Sequence, residues 1–141
     1  MKIQLGTPEK REVVRLCANQ TDPKENSEFN PGMYDEAVKN KHVLVECESG
    51  SFLHFYPCKK LPHISIYNLY VNRDFRGQSI GKKLVEELVS LYPNRPIIAK
   101  CTESAKSNTF WIKMGFTKIR YDKPEGKRLV GLNIYQKIPE E

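Results

Sequence analysis

Histidine and tryptophan are scarce, with three of the first and one of the second in 141 residues. His42, His54 and His63 have no ligand spacing to one another. The four cysteines, Cys17, Cys47, Cys58 and Cys101, stand 30, 11 and 43 positions apart, which fits neither a CxxC metal pattern nor a dense disulfide framework. The cysteines are expected as reduced thiols in or near the core, and no metal is expected. No apolar run approaches the roughly 18 residues that span a bilayer, and the opening MKIQLGTPEKRE lacks the apolar stretch of a signal peptide. The expectation is a cytoplasmic chain without a membrane partner. Repeats, low-complexity tracts and linkers are also missing, so residues 1–141 read as one domain.

What is present is the composition of a globular core, 39% hydrophobic and 28% charged. The 23 Lys and Arg against 17 Asp and Glu give +6, which favours anionic ligands without naming one. No aromatic RNA motif or recognition-helix pattern accompanies that charge, so a nucleic-acid partner is not expected.

Local signals alternate between strand and helix. Ile3–Leu5 reads as a short strand. Thr7-Pro8 opens a helix with Val13, Val14, Leu16 and Cys17 on its apolar face, and Asn30-Pro31 opens another with Met33, Ala37 and Val38. Val43, Val45 and Cys47 then alternate with other residues before a Ser49-Gly50 turn into Phe52, His54 and Tyr56, which predicts an antiparallel hairpin. A third strand runs from His63 to Val71. Its apolar parity slips between Ile64/Ile66 and Leu69/Val71, which predicts a β-bulge near residues 67–68.

Ile80, Leu84, Val85, Leu88, Val89 and Leu91 form an amphipathic helix ended by Pro93, and Ile97–Cys101 is a buried strand. A further helix is expected from Ser104 to Met114, closed by Gly115, and then strands Thr117–Tyr121 and Leu129–Ile138 around a charged loop, Asp122–Arg128. The unit from His63 to Cys101 is long enough for a parallel crossover. The expected fold is α+β, with a mixed, mostly antiparallel sheet of about six or seven strands and helices on both faces.

The segment Arg76-Gly77-Gln78-Ser79-Ile80-Gly81-Lys82-Lys83 lies between the third strand and its crossover helix. Two glycines allow a close turn with exposed N–H groups, and the helix start adds about half a positive charge, so a phosphate is the natural guest. Lys82 and Lys83 oppose the helix dipole, a conflict that a bound anion removes. The bland alternative is a tight turn with solvated lysines. Gly77 and Gly81 enclose three residues, not the four of a Walker A loop, and no GxGxxG occurs.

Residues 69–81 resemble the strand and pyrophosphate loop of the GNAT superfamily of acyl-CoA-dependent N-acyltransferases. Ser79 stands where that family commonly has glycine, and it is expected to fit with a negative φ. Phe110-Trp111-Ile112-Lys113-Met114-Gly115-Phe116 is similar to a second family segment, and with the element order the resemblance covers about residues 1 to 138. It implies acetyl-CoA as cosubstrate, held in a gap where the third strand splays from the next parallel strand. The backbone of Leu69, Tyr70 and Val71 would take the pantetheine arm, and Arg76, Gly77, Gln78, Ser79, Ile80, Gly81 and Lys82 the pyrophosphate. Ser104, Asn108 and Trp111 share one helical stripe and would touch the CoA arm.

The resemblance also implies direct attack by a primary amine of a small molecule or a protein, with a backbone N–H of Leu69 or Tyr70 at the oxyanion. Trp111 occupies the position of a family tyrosine, and indole cannot protonate a thiolate. Tyr121 or a water stands in as acid, and His63 and Tyr67 are the candidate bases beside a water chain. A route through Cys101 is disfavoured because no histidine neighbours it. A non-catalytic acyl-CoA-binding module and an acetyltransferase acting on protein or aminoacyl-tRNA are the alternatives. The assembly is expected to be a monomer or a homodimer.

Overall fold

The structure is a computed structural model that describes residues 1–20 and 31–139. Its strands are β1 (Ile3–Leu5), β2 (Val43–Glu46), β3 (Phe52–Pro57), β4 (Ile64–Tyr70), β5 (Ile97–Thr102), β6 (Thr117–Asp122) and β7 (Leu132–Lys137). Its helices are α1 (Arg11–Ala18), α2 (Pro31–Asn40), α3 (Ile80–Leu91) and α4 (Asn108–Lys113). The strands form one mixed sheet in the order β1-β2-β3-β4-β5-β7-β6, so the fold is α+β as expected. No described helix is long and apolar enough to cross a membrane.

Two compact units can be distinguished. The first comprises Met1–Phe55 and Asn68–Leu91, the second Tyr56–Tyr67 and Tyr92–Glu141. In the first, β2 pairs antiparallel with β1 and with β3, Leu44 facing Leu53 across the hairpin. Both hairpin strands are buried on both faces instead of alternating with solvent, because helices cover each side. Val14 and Cys17 of α1 and Tyr34 and Ala37 of α2 pack with Val43, Val45 and Phe52. Leu44 points the other way, and α3 contacts β2.

The hairpin connection is itself buried. Gly50 has φ +74°, and a Cβ there would collide with the Val13 carbonyl, so the turn is seated against α1. The expected α1 face is narrower than the sequence implies: Val14, Cys17 and Ala18 are buried, but Leu16 is 54% exposed because it falls on the far side of the helix. The α2 start signal at Asn30 lies outside the described residues.

In the second unit β4 and β5 run parallel, with Ile64, Ser65 and Ile66 opposite Ile97, Ile98 and Ala99, which is the expected crossover geometry. These rungs stop short of residues 67–68. Burial along β4 keeps one parity, Ile64, Ile66 and Tyr70, so the apolar slip at Leu69 and Val71 is not by itself a change of buried face. A register shift is recorded between Lys118 and Arg120 of β6, opposite β7.

Two boundaries differ from expectation. Helix α4 begins at Asn108, not Ser104, because residues 103–107 form turns that the Asn108 side chain holds in place. Strand β7 begins at Leu132, not Leu129, because Arg128 turns back to donate to the carbonyls of Asp122, Lys123 and Val130 and leaves Leu129 in solvent.

Candidate functional site

The loop after β4 is pinned before it turns. The Asn72 N–H donates to Ser51 Oγ at 2.9 Å and its side-chain amide to the Ser49 carbonyl at 2.8 Å, tying the exit of β4 to the hairpin turn. Asn72 Oδ1 accepts from the Asp74 N–H at 3.0 Å and from Gln20 Nε2 at 3.2 Å, while Gln20 Oε1 accepts the Arg73 N–H at 3.0 Å. Beneath them the Ser49 and Ser51 hydroxyls pair at 2.8 Å. Glu46 is buried, which would raise its carboxyl, but the N–H groups of Glu48 and Ser49 outweigh that effect and hold it below the usual carboxylate range.

From this anchor a 3-10 turn, Arg73–Phe75, leads to Arg76 and the glycine-rich segment. Gly77 has φ +89° and Ser79 φ +61°. Ser79 therefore occupies the left-handed region, contrary to the negative φ expected from sequence, because the chain must reverse there into α3. Positive φ alternating with ordinary φ turns successive N–H groups toward one side and makes an anion-binding concavity. Among the described residues no backbone acceptor is recorded for the amides of Gly77 through Lys82; the helical ladder starts with the Lys83 N–H on the Ser79 carbonyl at 3.0 Å. The segment from Arg76 to Ser79 is exposed, while Ile80 and Gly81 are buried.

The first turn of α3 has no acid. Lys82 reaches Glu86 at 3.9 Å, which eases its conflict with the helix dipole, while among the described residues no such partner is recorded for Lys83. The Arg76 guanidinium stands 5.7 Å from the centroid of the Tyr70 ring and is in no ion pair among the described residues. Close by, burial pushes the Cys17 thiol up to about 12, against the opposing effects of Ser51 and Arg76.

The remaining predicted residues belong to the second unit. Tyr67 is 63% exposed and meets Tyr56 edge to face at 5.0 Å. His63 precedes β4, at the end away from the loop, and its carbonyl accepts from the Cys58 N–H and from Arg95. Trp111 is buried, edge-on to Phe110 and Phe116. Ser104 is exposed in a turn and no longer shares a helical stripe with Asn108 and Trp111.

The Asn108 amide is spent internally. Nδ2 donates to the carbonyls of Thr102, Glu103 and Ala105, and Oδ1 accepts from Asn133 at 3.0 Å and from the Tyr135 hydroxyl at 2.7 Å. Tyr121 donates its hydroxyl to Glu103. Burial raises the Cys101 thiol, partly offset by the Ser107 hydroxyl, which disfavours the thiolate.

The family model described as Acetyltransferase (GNAT) domain matches residues 39–118, more than half of the chain. The chain belongs to the GNAT acetyltransferase family. An uncharacterised N-acetyltransferase of Brevibacillus brevis is 28% identical over 119 residues, which cover 82% of this chain and 71% of that one. Two solved structures share the GNAT fold. Ard1 from Thermoplasma volcanium has a TM-score of 0.81 at 15% identity, covering 99% of this chain and 98% of the other. An aminoglycoside 6'-N-acetyltransferase complexed with coenzyme A has a TM-score of 0.79 at 15% identity, covering 100% and 99%.

Within this GNAT chain Leu69, Tyr70 and Val71 and the segment from Arg76 to Lys82, the loop residues named from sequence, flank the 3-10 turn Arg73–Phe75. The residues that anchor it, Asn72, Ser49, Ser51 and Gln20, were not read from the sequence. Asn72-Arg73-Asp74 carried a usable signal, since asparagine before such a pair favours a side-chain-closed turn. Serines 21 and 23 positions upstream of Asn72 carried none, because only the hairpin brings them near.

Proposed function

We propose that the protein transfers the acetyl group of acetyl-CoA to a primary amine by direct attack. The observation that carries this reading is the run of amides from Gly77 to Lys82 with no recorded backbone acceptor among the described residues, at the start of a twelve-residue helix with no acid in its first turn. The fit to a diphosphate is good: Gly77 is open on its Cα side, and Arg76, Lys82 and Lys83 add positive charge. In this reading the backbone of Leu69, Tyr70 and Val71 pairs with the pantetheine amides, and an N–H of Leu69 or Tyr70 faces the developing oxyanion. Acetyl-CoA supplies the activated acyl carbon, and the chain's own groups orient it.

Isothermal titration with acetyl-CoA tests the site. Saturable binding is expected, with Gly81→Asp weakening it at least 100-fold by setting a carboxylate against the diphosphate. Equal affinity of the variant refutes the assigned loop. Binding should also stabilise the fold by about 2.7 kcal/mol at 100 times Kd. The burial of Trp111, whose indole cannot protonate a thiolate, favours the second reading of a non-catalytic acyl-CoA-binding module. Release of free thiol in the presence of an amine panel separates the two.

A further inference from the structure

The turn that leads into the glycine-rich segment is shaped more by side chains than by its own backbone. Its main-chain bonds are the Phe75 N–H to the Asn72 carbonyl at 3.0 Å and the Arg76 N–H to the Arg73 carbonyl at 3.5 Å, the second at the limit of a hydrogen bond. So short a 3-10 segment is marginal alone. Yet its direction decides where Arg76 and the amides from Gly77 to Lys82 aim.

Gln20 supplies a constraint from far away in the chain. It lies 52 positions before Asn72, just past α1, where its own N–H donates to the Cys17 carbonyl at 3.1 Å. Its Nε2 donates to Asn72 Oδ1 and its Oε1 accepts the Arg73 N–H, so one carboxamide closes on a side chain and on the backbone of the turn. A carboxylate offers only the acceptor and an ammonium only the donor. A second route leads from the same helix to the same asparagine: Gly50 is seated on the Val13 carbonyl of α1, and the Ser49 carbonyl and Ser51 hydroxyl beside it hold Asn72. All of these residues belong to the first unit.

Charge explains why a neutral group suits this place. From Asn72 to Lys83 there is one acid, Asp74, against Arg73, Arg76, Lys82 and Lys83. Among the described residues Arg73, Arg76 and Lys83 are in no ion pair. A carboxylate at position 20 would offset part of that field, whereas a carboxamide fixes the turn and leaves the field to an anionic guest.

We propose that Gln20 is a positioning residue for the diphosphate of acetyl-CoA, an uncharged clamp that acts through Asn72 and Arg73 to aim the turn carrying Arg76. The inference rests on the acetyl-CoA reading above. Its effect is preorganisation: with the clamp in place the loop is already ordered when the ligand arrives.

The test is isothermal titration of the full chain with acetyl-CoA. Gln20→Met, close in size but without the polar pair, is expected to weaken binding about 10-fold. Gln20→Glu keeps the acceptor for Arg73, loses the donor and adds charge. It should weaken binding about 30-fold at 0.05 M NaCl and approach the Met variant at 0.5 M, where the added charge is screened. Arg76→Ala alone should weaken binding about 10-fold, and adding Gln20→Met to it should cost about threefold or less, because the two act on one group. A purely structural role for Gln20 would give no such coupling.

Equal affinity of Gln20→Met and wild type, or a full tenfold loss repeated in the Arg76→Ala background, overturns the role of Gln20 and leaves the cofactor reading standing. Gln20→Glu binding as well as Gln20→Met at low salt overturns the need for an uncharged clamp. A wild-type protein that does not bind acetyl-CoA overturns the cofactor reading itself, and this clamp with it.

Discussion

Ser79 stands directly before α3 with φ +61°, in a region where an L side chain crowds its own backbone at a cost of about 1–2 kcal/mol. Glycine removes that crowding but loses more freedom on folding, about 0.5–1 kcal/mol. Ser79→Gly is therefore expected to stabilise the protein by about 0.5–1 kcal/mol in urea denaturation, with acetyl-CoA affinity kept. Ser79→Ala, which retains a Cβ, should bring no gain. An equal effect of the two variants would show that the backbone conformation is not what matters there. The residue type alone did not reveal this conformation, because the sign of φ depends on the path imposed by Asn72 and its serine partners.

At the scale of elements, the turn from Thr102 to Asn108 depends on one side chain. Asn108→Ala removes its bonds to the carbonyls of Thr102, Glu103 and Ala105 and strands the partly buried Tyr135 hydroxyl. A loss of about 2–3 kcal/mol in chemical denaturation is expected, and Asn108→Asp, which keeps the acceptor, should lose less. Strand and helix identities were legible from sequence because apolar period and turn residues specify them: β1, β4, α3 and β5 lie where the pattern puts them, within a residue or two. The start of α4 was not, since Ser104 through Ser107 read equally well as helix or turn until Asn108 is seen to bond backward. The burial of β2 and β3 on both faces was missed for a related reason. Glu46 looks like a solvent-facing position in the sequence, yet it is buried.

Across the whole molecule, two buried groups set the pH range of stability. Burial, reinforced by His42, depresses His54 to about 4, so below its ordinary 6.5 the unfolded chain takes up a proton that the folded one refuses. Stability is then complete above pH 6.5 and falls as pH drops toward 4, by up to about 3 kcal/mol. Cys17 acts at the other limit. Held protonated to about 12, it loses ground above pH 9, where the unfolded thiol ionises. Urea midpoints at pH 4.5, 7.5 and 10 should therefore peak at the middle value, and a flat series would contradict both assignments.

Strand β6 ends the sheet and is exposed from Thr117 to Tyr121, with Lys118 and Arg120 beside a register shift. Charges and irregular pairing keep such an edge from recruiting another strand. Lys118→Val with Arg120→Val should produce concentration-dependent association in sedimentation, while the wild type keeps its own state unchanged.

The seating of Gly50 on the Val13 carbonyl bears on how this chain can be re-engineered. A hairpin tip is the customary place to splice in an epitope or to open new termini, yet here that graft would have to pry a helix away. The bend at Gly126, with φ +59° and open space around its Cα, is the better port for a reporter peptide or a permuted start.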